Sequence, residues 1–166
     1  MKKYQIVCVC VALTFFSIIG CGKKSNLPED FPEIFSLKIT VTQEGSPLEG
    51  AMVSLKPIGT ADKYANGCSG ISAQDGVASI KTFGYEGVPA GKYKILISKM
   101  QDEEGKEIED EFGGKNVVGA KVYSYIEEKY YSETETPFEA EVVKGGDNTI
   151  TCDAGKSIRV FVRNAS

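Results

Sequence analysis

The side chains with which this chain could do chemistry are two distant cysteines, a run of carboxylates and a cluster of tyrosines. The carboxylates concentrate in "QDEEGKEIEDEFGG", Gln101 to Gly114, where Asp102, Glu103, Glu104, Glu107, Glu109, Asp110 and Glu111 surround Gly105. Oxygen ligands around a glycine can hold calcium, but an EF-hand loop places them at alternate positions with a glutamate at the twelfth. This run lacks that spacing, and a solvated acidic loop is the simpler reading. A pair of carboxylates could hydrolyse a glycoside, provided a cleft holds both at a set separation. Tyr123, Tyr125, Tyr130 and Tyr131 could stack on a sugar or anchor a protein partner. Equally, in a chain with no tryptophan, Tyr125 and Tyr130 could close one end of a core with their hydroxyls toward solvent. Cys68 and Cys152 could be bridged, or could be two separate buried thiols.

Much other chemistry is excluded. The chain has no histidine, which removes histidine metal sites, Ser-His-Asp triads and Cys-His dyads together. No Ser-x-x-Lys occurs, so that nucleophile pattern is absent too. In "EGVPAGKY", Glu86 stands where a phosphate loop needs its first glycine, and Tyr93 replaces Ser or Thr. No cofactor is implied. An isopeptide between Lys38 and Asn164 would need a buried amine, and Lys38 lies out of phase with Leu37, Ile39 and Val41.

The elements that position these residues begin with a leader. Lys2 and Lys3 precede an apolar run from Ile6 to Ile19, well short of the ~20 residues of a spanning helix. "SIIGCGKK" ends that run, and Ile18-Ile19-Gly20-Cys21 resembles the bacterial lipobox. The resemblance implies a lipoprotein signal peptide over residues 1–20 and acylation of Cys21, hence a membrane contact through an N-terminal lipid anchor. Gly22-Lys23 lacks the aspartate that retains many such proteins at the inner membrane, so the expected location is the cell envelope, at the outer membrane where there are two. Residues 21–35 read as a lipidated tether, with two prolines and no periodicity in "KKSNLPEDFPEIF". Removing Lys2 and Lys3 leaves 17 basic residues against 23 acidic, a balance that argues against nucleic acid as a partner.

From residue 36 to 166 the apolar pattern has period two. Leu37, Ile39 and Val41 alternate with polar neighbours, as do Ala51, Val53 and Leu55, then Tyr93, Ile95 and Ile97. Ala78 and Ile80 continue the pattern, followed by Phe138, Ala140 and Val142, and by Ile158, Val160 and Val162. Turn signals such as "EGSPLEG", "QDG" and "KGGDN" separate them. This predicts one all-β domain, an antiparallel β-sandwich of about seven strands.

Three motifs carry a further resemblance. "GSPLEGAMVSL", "GISAQDGVASI" and "GVPAGKYKILIS" resemble the opening strand, the Asp-x-x-Gly turn and the Pro-Ala-Gly-x-Tyr hairpin of carboxypeptidase regulatory-like domains. Ser72 stands where threonine is usual. The tail "KYYSETETPFEAEVVKGGDNTITCD" is similar to that of small lipoproteins from environmental bacteria such as planctomycetes. The resemblance implies a transthyretin-like, or prealbumin-like, sandwich and says little about function. The expectation is a non-catalytic envelope module with an envelope protein or a glycan as partner. Contact would fall on Asp102, Glu103, Glu104 and the tyrosines. A carbohydrate-binding accessory using residues 123–131, or a carboxylate hydrolase, is the alternative.

Overall fold

The computed structural model describes residues 28–59, 63–106 and 120–164. These residues are all-β with two short 3-10 turns among them, Lys63–Gly67 and Glu128–Tyr130. Among the described residues nine strands have three or more residues: β1 Lys38–Gln43, β2 Met52–Pro57, β3 Cys68–Ile71, β4 Val77–Ser79, β5 Gly91–Ser98, β6 Lys121–Ser124, β7 Glu139–Val142, β8 Thr149–Asp153 and β9 Val160–Asn164. One sheet runs β7-β5-β2-β3 and continues through the two-residue strands Lys81–Thr82 and Tyr85–Glu86. In a second, β1 is flanked on one edge by β8 and on the other by β4 and Ser46–Pro47. A third, small sheet joins Met100–Gln101, β6 and β9.

The alternation decides which side chains the first two sheets share. Ile39 and Val41 of β1, Val53 and Leu55 of β2, Ile95 and Ile97 of β5, and Cys152 of β8 are all buried in one core. Full burial of an aliphatic side chain stabilises by about 1.5–3 kcal/mol, so this stripe is the main reason the two sheets stay together. Gly70 of β3 marks a place where their backbones approach. A Cβ there would fall 2.7 Å from the Ser79 carbonyl oxygen of β4.

Two buried hydroxyls fix the turns that carry the family resemblance. Ser72 donates to the Leu48 carbonyl at 2.6 Å and accepts from the Ala51 N–H at 2.8 Å. One hydroxyl thus ties "GSPLEGA" to "SAQDG" and meets the Ala51 N–H there. Tyr93 donates to the Pro89 carbonyl at 2.8 Å, closing the "PAGKY" hairpin on itself.

Three features depart from the expected pattern. β8 pairs with β1 in parallel, Thr149 opposite Lys38 through Asp153 opposite Thr42, while the other strand pairs described are antiparallel. β9 was expected to bury Val160 and Val162, but it joins the third sheet and leaves Val160, Phe161 and Val162 exposed. The tether, placed at residues 21–35, does not extend to Phe35. Ile34–Phe35 pairs with Val88–Pro89, and Asp30 binds both Lys63 and the Tyr64 hydroxyl. The Phe31 ring lies 4.6 Å from that of Tyr64 and 5.3 Å from that of Tyr85. Burying these rings offsets the entropy of ordering the segment, and the folded unit therefore includes residues 28–35.

Candidate functional site

The third sheet gathers most of the residues singled out for contact. Asp102 leads the acidic turn and is buried, because its Oδ1 accepts the backbone N–H groups of Glu104 at 2.8 Å and Lys106 at 2.9 Å. A carboxylate oxygen used this way shapes the turn. Glu103 stands beside it and pairs with Lys121 of β6 at 2.7 Å. That hydrogen bond and charge hold the Glu103 carboxyl below its ordinary range and raise the Lys121 ammonium. Glu104 pairs with Lys106 at 2.7 Å. No group of three or more metal-ligating side chains forms among the described residues, and Glu107 to Glu111 lie outside them.

Tyr123 sits at a bulge in β6 and is enclosed by residues that the sequence reading did not single out. The Arg159 guanidinium lies 4.4 Å above its ring and the Phe161 ring meets it edge-on at 6.0 Å. Arg159 also donates to the Glu103 carbonyl at 3.3 Å. Glu103, Lys121, Tyr123, Arg159 and Phe161 therefore form one exposed patch of mixed charge and aromatic surface. Phe161 was the available signal for it, being apolar on the phase opposite Val160 and Val162.

The four tyrosines do not make one platform. Tyr130 is buried and stacks on Phe138 with ring centroids 5.5 Å apart. Its hydroxyl would lie 2.7 Å from a Cβ at Gly155, so its ring packs at the margin of the core. Tyr125 and Tyr131 are half-buried. Tyr125 contributes its carbonyl, which accepts from Gln43 Nε2 at 2.9 Å and so ties the third sheet to the end of β1. Cys21 lies outside the described residues.

Comparison of the chain with protein-family models, with curated proteins and with solved structures yields no match. The chemistry must be read from the side chains alone.

Cys68 and Cys152 are both buried and carry no bond to one another in the structure. Thr82 donates to the Gly87 carbonyl at 2.6 Å, which leaves its oxygen to accept the Cys68 thiol at 3.2 Å. Burial raises the Cys68 thiol, against the lowering effect of Thr82, and pushes Cys152 from 9.0 up to about 12. Thiolate is the reactive form, so at pH 8 an alkylating agent should label neither residue in the native protein and both in urea. Intact masses after alkylation in urea should be the same with and without reductant; label appearing only after reduction would establish a bridge. The raised value also has a sign. Above pH 9 the unfolded chain loses a proton that folded Cys152 keeps, so its stabilisation, complete below that pH, declines as pH rises toward 12. The slope is at most about 1.4 kcal/mol per pH unit, and Cys152→Ala should remove it from urea titrations.

Proposed function

We propose that this chain is a lipid-anchored cell-envelope protein whose sandwich is transthyretin-like and acts as a binding or structural module without catalysis. The observation that carries this reading is how its polar groups are used. Among the described residues no buried side-chain nitrogen or oxygen lacks a hydrogen-bond partner. Ser72, Thr82, Tyr93, Ser124 and Thr136 each bond a backbone carbonyl. Catalytic sites instead hold polar groups ready for a reactant, with environments that tune their protonation. Here the carboxylates with resolved shifts are exposed ones lowered by surface lysines.

The leader and Cys21 support the envelope location, at the outer membrane where the cell has two. Among the described residues no helix is long and apolar enough to cross a membrane, and the acyl chains would supply the attachment. The motifs around Ser72 and Tyr93 support the carboxypeptidase regulatory-like reading, since a buried hydroxyl closes each of the turns they carry.

The contact surface is the Glu103–Lys121–Tyr123–Arg159–Phe161 patch, offered to an envelope protein. A protein partner is favoured over a glycan because Arg159 already covers the Tyr123 face on which a sugar would stack. A photo-crosslinking residue at position 161 should capture a discrete partner in intact cells, and one at Lys92 should not. Equal capture at both positions would overturn the patch. Reproducible hydrolysis of a glycan or peptide, lost on Glu103→Gln, would overturn the non-catalytic reading.

A further inference from the structure

The hairpin that ends the first sheet, Lys81–Thr82 with Tyr85–Glu86, turns through Phe83 and Gly84, both at positive φ, 48° and 87°. Such two-residue turns take Asn, Asp or Gly at the first position, because a bulky L residue fits the left-handed region poorly. Phe83 holds that position with 61 % of its surface exposed. Its ring is packed on one side. One side lies on the Gly67 backbone, where any added Cβ would meet the ring at 2.3 Å, and Tyr64 meets its edge at 6.0 Å. Strain and exposure together at a hairpin tip give the folded domain nothing by themselves, and point to a role for the ring outside it.

Behind Phe83 stand more aromatics: Tyr64 with Phe31 at 4.6 Å, and Phe31 with Tyr85 at 5.3 Å. Two of the charges beside them are paired, Lys63 with Asp30 and Lys81 with Glu86. The Lys63 ammonium also sits 4.9 Å over the Tyr64 ring.

We infer that Phe83 inserts into the lipid headgroup region, with Tyr64, Phe31 and Tyr85 behind it, and seats the domain on the membrane that carries its anchor. The inference rests on the proposed acylation of Cys21. Seven residues from that cysteine the chain reaches Pro28, at most about 25 Å away when fully extended. Phe31 follows three residues later, so the aromatic end of the domain is the end held near the bilayer. Aromatic rings with one apolar side and one polar tip favour that interface.

The test uses the full-length protein in vesicles of phosphatidylethanolamine and phosphatidylglycerol, with a fluorophore on Glu86→Cys beside the hairpin tip or on Glu141→Cys at the opposite edge of the sheet. Labelled palmitate and flotation with the vesicles report anchoring independently. Nitroxide-labelled lipids should quench the probe at 86 at least threefold more than the probe at 141. Phe83→Asn, a residue suited to the turn, should abolish that difference while flotation persists. Flotation with equal quenching at both sites, or quenching at 86 that survives Phe83→Asn, would overturn the inference and leave anchoring intact. Crosslinking of two copies through position 86 would also overturn it, in favour of a dimer face. Loss of both palmitate and flotation would remove the anchoring reading and this inference with it.

Discussion

Gly70→Ala should destabilise the domain toward the upper end of the range, about 1–3 kcal/mol, usual for forcing atoms into a filled interior, and Gly70→Val by more. Against a total stability of about 5–15 kcal/mol, valine should leave much of the protein unfolded. The cause is space. Gly70 does not adopt a positive φ, but a Cβ would press on the Ser79 carbonyl at 2.7 Å and the Ile80 side chain at 3.1 Å. The carbonyl belongs to a strand of the other sheet and cannot turn aside as a side chain could. Gly45 is the control, since its φ is 77° with nothing within 4 Å of a Cβ. Gly45→Ala should therefore cost only backbone strain, about 1 kcal/mol. Urea titrations decide it: equal losses for the two alanine variants would show that the sheets can part at no cost.

Cys21→Ser should abolish attachment of labelled palmitate. On the proposed reading the wild type carries two ester-linked chains and one amide-linked chain. Each buried methylene contributes about 0.8 kcal/mol, and two chains already give lasting attachment. The variant has no thiol to receive the glyceride, so it should retain its leader and gain no acyl mass. A wild-type mature protein that is soluble without detergent, or that weighs the same as its unmodified chain, would sink the proposal. The six residues from Gly22 to Leu27 are all that separate Cys21 from Pro28, where the described chain begins.

The core was the legible part of this sequence, because burial on one face of a strand imposes period two. Leu37, Ile39, Val41, Val53, Leu55, Tyr93, Ile95 and Ile97 are all buried, as their alternation required. The turns were legible as well: Asp75 caps the N–H of Val77 at 3.0 Å and Gly76 has φ 77°. β9 misled because alternation says which residues could share a face, not whether a second sheet covers it. The docking of Phe31 was hidden for a different reason. Three apolar residues in "DFPEIF" have no period, so neither strand nor helix patterning registers them, though a solvated spacer has little use for them. Arg159 drew no attention, since an arginine between Ile158 and Val160 reads as the outward phase of a strand until Tyr123 is found beneath it.

The parallel seam between β1 and β8 sets a clock. Hairpins can bring antiparallel neighbours together early, but a parallel partner must return over a long crossover. Here nearly the whole domain separates Lys38 from Thr149. A chain emerging N-terminus first would hold β1 with one bare edge until its last tenth arrived, and such non-local pairings form slowly. On the proposed envelope location, that delay would keep the polypeptide unfolded while it is threaded across a membrane. It also makes the unpaired edge of β1 the place where a chain truncated before residue 149 would stick to its neighbours.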